Sequence, residues 1–325
     1  MNQNNIQFDI HLNKISTFLE EAKTTEDPAV YLFQNDFRAP LFQLEALARI
    51  YSSTGPDKKK FDKMREKFKL LEDILGSIDY FDAYGKLFFN NEKIPEDVKS
   101  YFSHKEQQAV SKLNKLLKSE GWLNGKQLEK INHDLKKTGW KDKDKQHKRL
   151  LKFYRSEVEE IMDFAKDGKV AFTDVESGIH EFRRKLRWLS IYAQALQGCI
   201  MLVGVEQEEL ELENYLTDSV LGSPYNRLPP VEDKKLHPLL LSKYGFFALS
   251  WMIEQLGILK DRGLGLLALS EAIKETEGIK SEKDAILQAK KYLGNKAPSI
   301  DDVLKEANKI TKQFFSDRIL KNLLK

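Results

Sequence analysis

The sequence predicts an all-α protein. Apolar residues recur at spacings of three and four along nearly the whole chain, which gives each segment one buried helical face. No segment sustains the period-two alternation of a half-buried strand. The 325 residues include only 17 Gly and 9 Pro, too few for a turn-rich all-β chain or a low-complexity one. An apolar content of 41% supports a core, and a charged content of 32% requires an extensive solvated surface.

Taken in order, Phe8, Leu12, Ile15 and Leu19 mark the first helix. Pro28 after Asp27 suits the first turn of a second, running to about Tyr51. Pro40 lies inside that segment and should kink or split it, because it lacks an N–H and clashes with the preceding turn. A long third helix covers 58–88, and others cover 95–119 and 143–167. Thr173-Asp174-Val175-Glu176 reads as a capping box that opens a helix to about Val203. Within it, Leu196–Val205 reads as the buried end of a core helix, since ten residues are half of a ~20-residue membrane span. Further helices are expected at 207–216, 237–261, 264–277 and 282–293. Ser299-Ile300-Asp301-Asp302 caps a last one reaching about Leu324. Residues 120–147, with Gly121, Gly125, Gly139 and many lysines, read as loop or weak helix. Residues 204–236 are first acidic and then turn-rich, through Gly222-Ser223-Pro224 to Pro229-Pro230. Gly168 marks a midpoint between two halves, 1–167 and 168–325.

Several function classes are disfavoured. One cysteine, Cys199, rules out an internal disulfide framework and Cys-rich zinc sites, and its apolar surroundings make an inert thiol. The N-terminus shows no basic segment followed by an apolar run, so a soluble, cytoplasmic chain with no membrane partner is expected. The six histidines include no i, i+4 pair, so no His-x-x-x-His metal site is formed, and no cofactor is implied. Gly121-Trp122-Leu123-Asn124-Gly125-Lys126 has three residues between its glycines where a phosphate loop has four. No catalytic set can be named, and a non-enzymatic protein is expected.

A weak internal repeat is visible. Leu75-Gly76-Ser77-Ile78 and Leu256-Gly257-Ile258-Leu259 each fall late in a helical pattern, and each is followed by an aspartate. Upstream of the first lies Asp36-Phe37-Arg38, and upstream of the second His180-Glu181-Phe182-Arg183.

The segment from Gly178 to Leu189 carries the most chemistry. On a helix, His180, Arg183, Arg184 and Arg187 occupy positions i, i+3, i+4 and i+7 and form one basic stripe. Phe182, Leu186 and Leu189 form an adjoining apolar stripe. Stacked cations repel unless an anion or acidic side chains compensate, and Glu181 is the only acid in the motif. The planar guanidinium fork matches phosphate oxygens, and a ladder rising ~5.4 Å per turn could follow a string of them. Carboxylates from facing helices would instead make the stripe a salt-bridged seam.

This stretch resembles the second signature of the CHAD family, the conserved-histidine α-helical domains that bind inorganic polyphosphate. His180, Glu181, Phe182, Arg183 and Arg187 sit where its His-acid-apolar-Arg pattern with following basic residues places them. Leu256-Gly257-Ile258-Leu259-Lys260-Asp261 resembles the Leu-Gly-x-Leu-x-Asp turn of the family's following helix. The resemblance runs loosely over residues 10–320. It implies two pseudo-symmetric helical bundles around a basic channel, an internal duplication that would account for the repeat. Its implied ligand is inorganic polyphosphate or another phosphate-rich polyanion, held by His180, Arg183, Arg184, Arg187 and, from the first half, Arg38. The chain departs from the pattern at Asn35, which stands in the histidine's place, and from Pro40 to Glu45, which replace the basic residues. Trp188 and Ser190 also stand at usually basic places. The alternative is a helical interaction scaffold whose basic site is degenerate or internally neutralised.

Basic charge elsewhere leaves nucleic acid as a less favoured partner. Between Lys99 and Arg155 there are 16 Lys and Arg against 6 Asp and Glu, a net +10, densest at Lys141–Arg149. Lys58-Lys59-Lys60 with Lys63, Arg65, Lys67 and Lys69 forms a second cluster. Such runs are most often solvated helix faces.

Overall fold

The computed structural model describes residues 3–140, 143–164, 171–228, 231 and 237–325. Gly168, Lys141, Asp142, Pro229 and Pro230, which the sequence reading singled out, lie outside them. The protein is all-α: the described residues form fourteen α-helices, a π-helical turn, three 3-10 turns and two four-residue strands. The helices are α1 Gln3–Ala22, α2 Pro28–Gln34, α3 Arg38–Thr54, α4 Lys58–Phe89, α5 Glu96–Ser119, α6 Lys126–Lys136 and α7 Lys143–Phe164. After the π-turn Val175–His180 come α8 Glu181–Ala195, strand β1 Ile200–Val203, α9 Glu206–Glu211, α10 Asp218–Gly222 and strand β2 Leu239–Ser242. The chain ends with α11 Lys243–Glu277, α12 Glu282–Leu293, α13 Ile300–Ser316 and α14 Ile319–Leu323. It divides into two compact units. Unit 1 holds Met1–Ala48, Lys59–Thr138 and Gly263–Ser299, and unit 2 holds Arg49–Lys58, Gly139–Arg262 and Ile300–Lys325.

In unit 1 the expected split near Pro40 occurs just before it. Helix α2 ends at Gln34 with Asn35 as its C-cap, Asp36 takes a positive φ of 54°, and α3 starts at Arg38. Pro40 thus lies in a first turn, where its missing N–H costs no helical bond. Asp27 caps α2 by accepting from the Val30 N–H, and Asn114 of α5 binds both Asp27 and the Ala29 N–H. The apolar face of α1 is fully buried, with Phe8 stacked on Phe61 of α4 at 6.1 Å between centroids. The segment read as loop or weak helix contains α6. Gly121 and Gly125 supply left-handed turns, and Leu128, Ile131 and Leu135 then bury one face.

In unit 2 the capping box does not form as expected. Asp174, not Thr173, is the N-cap, accepting from the Ser177 N–H, and the chain enters a π-turn before α8 begins at Glu181. Asn308 of α13 pins this entry by bonding both the N–H and the carbonyl of Phe172. Phe182 anchors α8 among Phe164, Phe172 and Phe315, with centroids 5.6–5.9 Å away.

The expectation that Leu196–Val205 ends a core helix is corrected. Helix α8 stops at Ala195, Gly198 takes a left-handed φ of 77°, and Ile200–Val203 pairs in parallel with Leu239–Ser242. Four residues are too few for a strand's period to show against a helical background. The expected helix 237–261 is corrected at its start, where Leu239–Ser242 is strand β2; from Lys243 it merges with the expected helix 264–277 into the 35-residue α11, whose first part belongs to unit 2 and second part to unit 1. Gly263 and Gly265 do not break it, because Leu264, Leu266 and Leu269 are buried around them. The last expected helix is interrupted where Arg318 takes a φ of 55°, separating α13 from α14.

Candidate functional site

Arg183 projects from the first turn of α8 toward the first part of α11, within unit 2. Its Nε donates to the Ile253 carbonyl at 2.9 Å. The guanidinium lies against Gly257: a Cβ there would sit 3.0 Å from Nε and 3.3 Å from Nη2. A glycine one turn beyond the accepting carbonyl therefore gives the guanidinium a flat seat. Burial lowers the Arg183 pKa, and the negative charge of Asp261 partly offsets this. Among the described residues Arg183 makes no carboxylate ion pair. Its remaining N–H groups stay charged and directional, since arginine keeps its proton.

His180 closes the π-turn and is half-buried, and its buried Nδ1 has no hydrogen-bond partner. Burial lowers its pKa. Glu176 and Glu181 act to raise it, and Lys260 and Arg183 to lower it. Lys260 itself pairs with Asp261 at 2.7 Å. Arg184 is exposed and pairs with Glu181 at 2.7 Å, while Arg187 is half-buried further along α8. Lys185, outside the stripe, pairs with Glu160 of α7. Of the four residues read as one stripe, Arg183, Arg184 and Arg187 lie on α8 and His180 in the π-turn before it. Glu181, Lys260 and Asp261 join them as charged neighbours.

Arg38 belongs to unit 1 and repeats the same local arrangement with a different outcome. Its Nε donates to Glu72 at 2.7 Å, its Nη2 lies 2.5 Å from the same carboxylate, and its Nη1 lies 3.2 Å from Asp79. A Cβ on Gly76 would come 2.6 Å from Nη2, so the guanidinium is again seated on a glycine. The Phe42 ring adds a cation–π contact at 5.2 Å. Glu72 and Ile253 each lie four residues before their glycine, and each accepts the arginine's Nε–H, one through a carboxylate and the other through a carbonyl. In unit 1 the positive charge is therefore neutralised locally.

The sequence marked both arginines and both glycines but not the seat that joins them. It also missed Glu72, which lies one helical turn before Gly76 on α4. Lys260 is legible only as the residue before Asp261 in the repeated motif.

The other basic runs are partly consumed by the fold. Within Lys141–Arg149, Gln146 and His147 are buried, His147 Nε2 meets the His237 carbonyl at 2.9 Å, and Arg149 reaches the Thr54 carbonyl. Within the Lys58–Lys69 cluster, Lys60 donates to the Asp134 carbonyl and the Thr138 hydroxyl, and Lys69 pairs with Asp73. Burial lowers the Lys67 pKa, helped by the nearby charge of Lys130. No group of three or more His, Cys, Asp or Glu among the described residues could hold a metal ion, and none of their helices is long and apolar enough to cross a membrane. Comparison with protein-family models, curated proteins and solved structures finds no match.

Proposed function

We propose that the chain is a divergent CHAD-type protein that binds inorganic polyphosphate, or a closely similar phosphate-rich polyanion, in the cytoplasm without catalysing a reaction. The observation that carries this reading is the state of Arg183. Its guanidinium is held in place by a neutral carbonyl and a glycine seat, and no carboxylate ion pair neutralises it. A phosphate arriving there gains a fixed fork of donors and loses little to reorganisation. Arg184 can join it, because an exposed pair such as Arg184–Glu181 contributes only ~0–1 kcal/mol and is readily exchanged. His180 offers a further ring nitrogen and gains charge beside a polyanion. The recurrence of an arginine seated on a glycine in both units supports the internal duplication that the resemblance implies.

Fluorescence anisotropy with end-labelled polyphosphate, repeated at rising salt, tests the reading. Saturable binding should weaken with salt and fall at least tenfold in Arg183→Ala/Arg187→Ala, but change little in Lys145→Ala/Lys148→Ala. Single-stranded DNA of matched charge should compete poorly. Absence of saturable binding near physiological ionic strength removes the reading.

A second reading, an interaction scaffold with an internally neutralised site, is favoured by Arg38, whose charge is met by Glu72 and Asp79. It predicts that Arg183→Ala/Arg187→Ala lowers the melting temperature while any anion binding stays unchanged.

A further inference from the structure

The polyanion site on α8 includes one group whose charge is not fixed, the imidazole of His180. The ring ends the π-turn Val175–His180 and is half-buried. Its Nδ1 is enclosed and has no hydrogen-bond partner, whereas Nε2, also without a partner among the described residues, is not enclosed. The two nitrogens therefore play different parts. Whichever of them carries the proton in the neutral ring, the imidazolium needs an N–H on both. An N–H on Nδ1 would be buried with no acceptor, and an unpaired buried donor is costly. The protein interior thus offers the cation no support, and charge arriving at Nε2 is what can stabilise it.

The charged groups around the ring leave the same balance. Burial lowers its pKa first of all; Glu176 on the π-turn and Glu181 on α8 act to raise it, and Lys260 of α11 and Arg183 of α8 oppose them. Glu181 is already engaged by Arg184 at 2.7 Å, and Lys260 by Asp261 at 2.7 Å. Helix α13 also packs on the π-turn, where its Glu306 pairs with Arg262 of α11 and its Lys305 reaches Asp302. The free ring is therefore neutral near pH 7. Arg183 lies three residues after His180, one helical turn away. A phosphate seated on the Arg183 fork brings both negative charge and an acceptor oxygen to that ring, and each favours the imidazolium.

We infer that polyanion binding at this site is proton-linked: His180 is neutral in the free chain and takes up a proton from solvent as phosphate charge arrives. The inference rests on the polyphosphate reading and adds the regulation of its site. The bound ring keeps its proton to higher pH than the free ring. Affinity accordingly rises as pH falls through the bound-state midpoint, and it levels off below the free-state one. Acidification loads the site, and alkalinisation empties it.

NMR of the full chain with isotope-labelled histidine rings tests the linkage directly, with His180→Gln identifying the His180 signal. The ring should titrate below the ordinary ~6.5 in the free chain, and its midpoint should move upward with saturating long-chain polyphosphate. Anisotropy with labelled polyphosphate at fixed salt should show an affinity roughly three- to tenfold higher at about pH 5.5 than at about pH 7.5. His180→Gln should remove most of that gain, whereas His104→Gln, at an exposed position of α5, should retain it. Melting curves establish that both variants are folded. A free ring already cationic at pH 7, a midpoint unmoved by polyphosphate, or equal pH dependence in the parent and His180→Gln would each overturn the linkage while leaving polyphosphate binding intact. Absence of saturable binding at either pH would instead remove the polyphosphate reading, and this inference with it.

Discussion

Replacing Gly257 by alanine sets two opposed effects against each other at one atom. Alanine is the better helix former, and the exchange inside α11 contributes about 1 kcal/mol of stability by propensity alone. The new Cβ would lie 3.0 Å from Arg183 Nε and 3.3 Å from Nη2, both tighter than ordinary van der Waals contact. A guanidinium pushed back from this Cβ would strain its 2.9 Å bond to the Ile253 carbonyl. A hydrogen bond from a charged donor contributes about 1.5–3 kcal/mol, so the variant should be about 0.5–2 kcal/mol less stable than the parent. Gly265→Ala, eight residues further along the same helix, is the internal reference. Its Cβ would meet Tyr84 Cε1 at 3.5 Å and Leu87 Cδ2 at 3.7 Å, ordinary contacts, so it should gain about 0.5–1 kcal/mol. Urea denaturation followed by circular dichroism measures both, and anisotropy with labelled polyphosphate reports whether the displaced fork still binds. Equal stability of the two variants would refute the glycine seat, because the propensity gain would then be unopposed at Gly257.

Two other perturbations act in unit 1. His11 is buried with an unpartnered Nδ1, and burial, aided by the charge of Lys14, lowers its pKa from 6.5 to about 4. The unfolded chain therefore binds the extra proton in the window between these values, and stability is lost as pH falls through it; between pH 7 and pH 5 the loss is about 2 kcal/mol. His11→Met should flatten that dependence in denaturation curves taken at the two pH values, and an unchanged slope would exclude His11 as its source. Arg38→Met leaves the Glu72 carboxylate, 7% exposed, without its cation and should cost about 3–5 kcal/mol, whereas Arg38→Met/Glu72→Met should recover most of it in the same urea assay.

Long helices with a regular apolar face were legible in the sequence, and α4, α5 and α12 lie where their spacing puts them. The misses share a cause: local backbone geometry that periodicity does not encode. Ile200-Met201-Leu202-Val203 has the composition of a helix core, and only its pairing with Leu239–Ser242, a partner distant in sequence, makes it a strand. Gly263 and Gly265 look like a helix end, but buried leucines on either side carry α11 through them. Arg318 looks like an ordinary helical residue and instead takes the left-handed conformation that ends α13. At the site, the identities of Arg183 and Gly257 were visible, but 74 residues separate them, and no local pattern states that one rests on the other.

The two arginine seats show how little sequence separates a neutralised cation from an available one. In each unit the guanidinium is oriented in the same way, by backbone space at a glycine and an acceptor one turn earlier. The acceptor sets the charge. Glu72 supplies a carboxylate that both orients and cancels Arg38, so an incoming phosphate would have to displace a half-buried ion pair whose remaining carboxylate would repel it. The Ile253 carbonyl orients Arg183 equally well and leaves its formal charge intact, with only Asp261 opposing it at longer range. If both seats descend from one anion-binding ancestor, the acid at position 72 is a sufficient physical reason for unit 1 to have lost affinity while keeping its packing. Polyanion affinity in this chain should then depend on Arg183 far more than on Arg38, although loss of Arg38 costs more stability.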